Sequence, residues 1–223
     1  PNEDYDKYPR ALETDAQVAA DAGVDIIFAP SVDEMYPEGE PLIRISSGEL
    51  GNKFEGITRP GHFDGVLTVV NKLFNIVRPA AGSHEVNAYF GQKDAQQVLL
   101  VQRMIHDFNH DITLRPVAIV RDDDGLALSS RNEFLSEQER EAALVISRTL
   151  ALMRENSLNR GFESIDLESA RARINSTEGV RLDYLELVDP SNFQPPTADS
   201  ERVLTLVAAY VGSTRLIDNM DLL

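Results

Sequence analysis

The stretch VNAYFGQKDAQQVLLVQRMIHDFNHDITLRPVAIV, Val86–Val120, changes its periodicity twice in close succession. Val86–Phe90 is short and reads as a strand. Val98, Leu99, Val101, Met104, Ile105 and Phe108 then recur at helical spacing and predict a helix over Ala95–Phe108. Ile112–Val120 returns to strand character. Strand, helix and strand at this spacing predict parallel strands joined by a crossover helix. In open sheets of that kind, ligands bind beyond the carboxyl ends of the strands. The motif FGQKD stands at one such end and IVRDDDGLALSSR begins at another, so both point to the same rim.

Upstream, ALETDAQVAADA (Ala11–Ala22) reads as a helix closed by Gly23. VDIIFAP (Val24–Pro30) reads as a strand too apolar to be half exposed, which suggests a layered α/β arrangement. Ser31–Pro60 is turn-rich. Val66, Val69, Val70, Leu73, Phe74 and Val77 place one apolar face on a helix that Pro79 ends, and Gly82–Glu85 is read as a loop. Downstream, Ser136 and Glu139 form a capping box that opens a helix to about Glu155. A second helix is expected over Asp166–Ser176. Strands follow at Arg181–Val188, Arg202–Val211 and Arg215–Asp218, with Pro190–Ser200 a loop. Helices followed by antiparallel strands predict a second, smaller α+β domain. The boundary falls near Val120–Asn132, giving expected domains of 1–121 and 122–223.

Composition narrows the function classes. The chain has 223 residues, long enough for one large domain or two small ones, with 21 Lys plus Arg against 37 Asp plus Glu, a formal charge of −16. Such a surface repels nucleic acid and anionic membrane, so neither is an expected partner. An anionic substrate would need a local basic site working against that global field. The absence of cysteine excludes disulfides, thiolate metal sites and a cysteine nucleophile. No apolar run approaches the ~20 residues of a membrane span, and the opening PNEDYDKYPR does not resemble a signal peptide. The expectation is a soluble cytoplasmic protein.

Two motifs offer chemistry beyond packing. In FGQKD, Gly91 permits close backbone approach to a ligand, Lys93 offers a compact ammonium suited to phosphate, and Asp94 is an acceptor suited to ribose hydroxyls. Asp94 also stands at a helix N-cap, and Lys-Asp there is equally ordinary surface chemistry. Gln97, one turn on, is placed to bond a polar substrate or simply to face solvent. In LSSR, the hydroxyls of Ser129 and Ser130 and the planar fork of Arg131 suit a polyphosphate. The competing reading is a polar turn whose serines cap the next helix, although Ser136 already supplies a cap. His62, His84, His106 and His110 lack mutual metal-ligand spacing and are read as structural. Arg59, in TRPGHF, reaches either an anion or a turn. RDDDG (Arg121–Gly125) lacks the acidic alternation of a calcium loop and is read as a solvated turn.

Taken in order, YPR…GVDIIFAPSVDEMYPEG, RPGHFDGVLTVVNKLFNIVRP, YFGQKDAQQ, DGLALSSRN and VAAYVGSTRLIDN resemble the pantothenate synthetases, the pantoate–β-alanine ligases of vitamin B5 biosynthesis. The match runs from about Tyr8 to Asn219. The resemblance implies an α/β fold: a Rossmann-like parallel-sheet nucleotide-binding domain and a smaller C-terminal α+β domain closing over it. It implies condensation of pantoate with β-alanine through a pantoyl adenylate, with ATP consumed and AMP and pyrophosphate released. It further implies that Gly91, Gln92, Lys93 and Asp94 hold ATP, that Gln97 bonds pantoate, and that Val120 contacts the nucleotide. Leu128, Ser129, Ser130 and Arg131 would form the phosphate loop, with Lys93, Ser129, Ser130 and Arg131 catalytic. Mg²⁺ would ride on the phosphates, with no dedicated metal ligands, and the enzyme would be a homodimer.

The family's His-x-Gly-His motif and a pantoate-binding glutamine, which precede the stretch corresponding to PNEDYDKYPR, do not occur in these 223 residues. The expectation is that the first strands of the sheet are missing too, and that this chain alone is inactive as a ligase. The alternatives are a non-catalytic nucleotide-binding fragment and another nucleotidyltransferase of similar fold.

Overall fold

The structure, a computed structural model, describes residues 11–79 and 85–223. The expected loop residues Gly82, Ser83 and His84, and the opening ten residues, lie outside the described part. Residues 1–44 and 45–223 form two compact units.

In the first unit, α1 (Leu12–Asp21) occupies the predicted helix, and Gly23 follows it at φ 85°. α2 (Val32–Met35) is one turn held by a capping box, with the Ser31 hydroxyl and the Glu34 carboxylate satisfying each other's backbone N–H groups. Between them the expected strand Val24–Pro30 is not formed. It pairs with no described strand, and Ile26 is 84% exposed. An apolar run states a need for burial, but a strand exists only where a neighbour completes its ladder.

The second unit begins with a tight pair of turns, Leu50–Asn52 and α3 (Glu55–Thr58). A Cβ at Gly56 would stand 1.8 Å from the Gly51 carbonyl oxygen, so only glycine allows this approach. α4 (His62–Val77) starts a turn earlier than the valine pattern suggests. Its deepest residues are Phe63, Leu67, Val70 and Phe74, whereas Val77 is exposed. The buried stripe thus lies beside the expected one, because Phe63 and Leu67 outweigh Val66 and Val69 in the space against α5.

β1 (Asn87–Gly91), α5 (Ala95–Asp107) and β2 (Thr113–Val117) form the predicted crossover unit, with β1 and β2 parallel in register Asn87↔Thr113 to Gly91↔Val117. One side of α5 (Leu100, Val101, Met104) packs with α4 and the two strands. Another side, through Leu99, meets Val188, Phe193, Leu204 and Leu206. α5 is therefore shared by both halves of this unit. Expected strand residues beyond Val117 leave the ladder and lead into the turn that follows.

α6 (Glu137–Arg160) opens on the predicted Ser136–Glu139 capping box and runs past the expected end to Gly161 at φ 83°. α7 (Leu167–Asn175) leads into β3 (Val180–Val188), β4 (Leu204–Val211) and β5 (Thr214–Asp221), an antiparallel sheet in the order β3-β4-β5. β4 is central and covered on both faces. Val207, Ala209 and Val211 join the α6 core while Leu204 and Leu206 face α5, which explains an apolar run interrupted only by Thr205 before Tyr210. β5 is longer than expected because Asn219 and Asp221, too polar for a core-strand pattern, still pair with Leu206 and Leu204. Among the described residues no helix is long and apolar enough to cross a membrane.

His110 follows α5 and packs its ring on Phe74 (5.8 Å) and Phe108 (6.4 Å), and its Nε2 has no hydrogen-bond partner. Burial, with Arg78 adding repulsion, lowers its pKa below the ordinary 6.5. The fold thus favours the neutral ring. Below pH 6.5 the unfolded chain takes up a proton that the folded chain resists. This stabilisation is therefore full above 6.5 and is lost as pH falls through the folded value. An NMR titration of the His110 ring protons should give a midpoint below 6.5, and a midpoint above it would contradict this packing.

Candidate functional site

The site lies where β1 ends. Gly91 closes the strand at φ −68°, a conformation open to any residue, and a Cβ there would meet nothing within 4 Å. Neither the backbone nor protein packing demands glycine at this point, and the surface stands open to a ligand. Gln92, Lys93 and Asp94 form a 3-10 turn leading into α5, and the Asp94 side chain makes no capping hydrogen bond. The capping alternative for Asp94 is thus not realised, and the residue borders a crevice.

Lys93, Asp94 and Gln97 line that crevice together with Arg131, Arg59, His62 and Glu55. Lys93 and Arg131 also border an adjoining hollow with Ser129. The two motifs thus meet. Ser130 is half-buried in the 3-10 turn Ser130–Phe134 and borders neither space. The Ser129 hydroxyl accepts the Arg131 backbone N–H at 3.3 Å, so it does cap that turn, while Ser136 caps α6. The capping reading thus holds for Ser129, whose hydroxyl keeps its own hydrogen to donate elsewhere. Val120 and Leu128 are exposed, and the Leu128 N–H donates to the Val120 carbonyl at 2.9 Å. Gln92 borders a different cleft, behind the turn.

The RDDDG segment departs from the solvated turn expected of it. Arg121 binds the buried Asp218 of β5 through both arms of its guanidinium, at 2.7 and 2.8 Å, and also reaches the carbonyls of Gly125 (3.1 Å) and Asn219 (3.3 Å). Asp122 and Asp124 pair with Arg140 of α6, and that guanidinium, together with the Leu126 N–H, lowers the Asp124 pKa. The loop carrying LSSR is therefore anchored on two arginines.

Glu55 was not a candidate in the sequence, yet it joins three segments. Its carboxylate accepts from Arg215 Nη1 and Nη2 (2.7 and 2.8 Å) and from the Tyr184 hydroxyl (2.9 Å). Arg215 also pairs with Asp183 at 2.8 Å. A bulge in β3 leaves Asp183 unpaired between Leu182 and Tyr184, and this turns both side chains toward the site. Burial, and then the Glu55 charge, push the Tyr184 pKa well above its ordinary value. Burial opposes the Arg215 charge, but Glu55 and Asp183 outweigh it and raise its pKa. Before Glu55, Phe54 is held at φ 46°, against Tyr184 and Phe193. Gln96, 4% exposed, fixes the same turn by accepting from the Glu55 N–H and donating to Leu50 and Lys53.

Glu55 is paired with Arg215 and Asp218 with Arg121, so that Lys93 and Arg131 border the crevice with Asp94. Arg59 Nη1 lies 2.8 Å from His62 Nε2, so that nitrogen accepts. His62 was set aside as structural in the sequence, but it borders the crevice. Asn219 of β5 was also missed. Its Nδ2 donates to the carbonyls of Gln92 (2.8 Å) and Lys93 (2.9 Å). Period-two reading of β5 was the available signal: Arg215, Ile217 and Asn219 share one face.

Arg215→Met should leave Glu55 buried with a single partner. By analogy with other broken buried pairs, urea unfolding should show a loss of about 3 kcal/mol. Combining it with Glu55→Leu should cost less than the sum of the two single changes. Full stability in the single variant would show that the pair is not a constraint.

The chain matches the model of the family Pantoate-beta-alanine ligase over residues 1–221. It is 49% identical to a pantothenate synthetase of Paenarthrobacter aurescens, covering 98% of this chain and 77% of that one. It is 48% identical to another from Corynebacterium glutamicum, covering 99% and 77%. The crystal structure of pantothenate synthetase from Thermus thermophilus superimposes with TM-score 0.89 at 42% identity, over 100% of this chain and 78% of that one. A pantoate-beta-alanine ligase from Francisella tularensis, complexed with beta-gamma ATP and β-alanine, gives TM-score 0.75 at 37% identity, over 97% and 72%.

Proposed function

The chain belongs to the pantoate-beta-alanine ligase family, and from that premise we propose that it joins pantoate to β-alanine by an ATP-dependent, AMP-forming route. The observation that carries the reading is the meeting of Lys93 and Arg131 in one crevice, a local cationic site in a chain of charge −16. The Francisella relative complexed with a nucleotide and β-alanine supports those two substrates.

In this reading pantoate's carboxylate attacks the α-phosphorus of ATP, the bond to the β-phosphate oxygen breaks, and pyrophosphate leaves. The amine of β-alanine then attacks the acyl carbon of the pantoyl adenylate. The amide forms, AMP leaves, and the amine's proton passes to solvent. Negative charge grows on the leaving phosphate oxygen, and the Lys93 ammonium and the Arg131 fork lower the barrier by meeting it there. Ser129 donates its hydroxyl hydrogen to the same pyrophosphate, and Ser130, which borders neither hollow in the docked arrangement, would join it only once its turn rearranges. Gly91 and Gln92 let the nucleotide lie against the strand end, Asp94 accepts from the ribose, and Val120 and Leu128 flank the nucleotide. Gln97 bonds pantoate. Mg²⁺ would be held by phosphate oxygens and water, where it would supply further charge neutralisation.

Residues 122–223 act as the lid domain in this proposal. The crevice holds about 50 Å³, far less than the roughly 300 Å³ or more of small-molecule sites. In this reading the lid is docked and parts to admit a nucleotide. Homodimeric assembly, on family resemblance, and a cytoplasmic location, on composition, belong to the same reading.

In the complete protein, Lys93→Ala should cut pantoate-dependent ATP–pyrophosphate exchange by roughly 100-fold or more while circular dichroism stays unchanged. Undiminished exchange in that variant would sink the site. ATP binding without any exchange by the unaltered protein would favour the non-catalytic alternative. Acceptance of phosphopantetheine in place of pantoate would favour another nucleotidyltransferase.

A further inference from the structure

We propose that Asn219 is a positioning residue for the nucleotide site, setting the direction of Lys93 from the opposite half of the fold. The proposal rests on the reading of Lys93 as a phosphate-binding group.

The geometry is specific. Asn219 is 5% exposed, and its side-chain nitrogen bonds two successive carbonyls, Gln92 O at 2.8 Å and Lys93 O at 2.9 Å. These belong to the two peptide planes that flank the Lys93 Cα. A residue has only two soft backbone dihedrals, and they are the rotations of those two planes. Holding both carbonyls therefore holds φ and ψ of Lys93 and the direction of its Cα–Cβ bond. A 3-10 turn, with its poorer hydrogen-bond geometry, does not do this alone. The side chain of Lys93 remains mobile about its own bonds, but its root is fixed.

Asn219 is itself held on three sides. Its N–H donates to Asp218 Oδ1 at 2.8 Å, its carbonyl accepts from Arg121, and its strand is zipped to β4. The same Arg121 reaches Gly125, at the root of the LSSR segment. One short piece of β5 thus connects the backbones of both phosphate-suited motifs. Lys93 takes its direction only when the C-terminal sheet is docked, which couples docking of that sheet to order in the site.

The test compares Asn219→Ala, Lys93→Ala and the double variant in the complete protein. It measures ATP affinity by calorimetry, pantoate-dependent ATP–pyrophosphate exchange, and thermal midpoint. Asn219→Ala should lower the exchange kcat by roughly 10- to 100-fold, the scale of a misplaced catalytic group. In the Lys93→Ala background the same change should have no further effect on ATP affinity, since its action passes through Lys93. If Asn219→Ala folds poorly, Asn219→Ser keeps one donor and should show the same non-additivity with a smaller loss. A drop in thermal midpoint with kcat and ATP affinity unchanged would overturn the proposal, and so would additive losses in the double variant. Wild-type exchange and ATP affinity in Lys93→Ala alone would instead overturn the phosphate reading on which it stands.

Discussion

Asp218 is a carboxylate 6% exposed in the last strand, and the guanidinium of Arg121 binds it with both arms from 97 residues away. A buried charge without a partner is strongly destabilising, so the strand is stable only where that guanidinium can reach it. Strand alternation does the rest. With Asp218 facing Arg121, Arg215 and Asn219 must project from the other face. There they meet Glu55 and the turn after β1. The end of the first strand and the loop after the second share a rim by topology. They border one crevice because this strand ties them together.

The same ion pairs decide the charge of the crevice. A chain of −16 is a poor attractor of anions. Two of the carboxylates around the crevice, Glu55 and Asp218, are spent on Arg215 and Arg121. Lys93 and Arg131 then border it with Asp94. Structural ion pairs thus offset part of the negative charge around the crevice, and screening by salt confines the global repulsion to about 8 Å at physiological ionic strength.

The crossover unit Val86–Val120 was legible because each of its elements is stated by local periodicity, and the capping box at Ser136 was legible for the same reason. Val24–Pro30 was misread because apolarity reports a demand for burial, and pairing depends on a second strand. The α4 stripe was read one step around the helix, since a pattern of valines does not say which of two overlapping stripes the neighbouring helix presses on. His62 was set aside for want of metal spacing, yet its place at the first turn of α4 brings it to the crevice.

Lys93, Asp94, Gln97 and the Ser129–Arg131 run could be named from residue type alone, because ammonium, carboxylate, amide, hydroxyl and guanidinium announce what they can bind. The sequence also determined the helices and most strands, since 3.6- and 2-residue periods are local properties. Only the tertiary structure decided that Lys93 and Arg131 meet, and that Glu55 and Asn219 hold the surroundings. Their partners lie 126 to 160 residues away, and at such separations nothing in a periodic pattern says which polar group faces which. Packing of α5 against both halves brings them to hydrogen-bond range, and the cost of burying an unpaired polar group selects the pairing that survives.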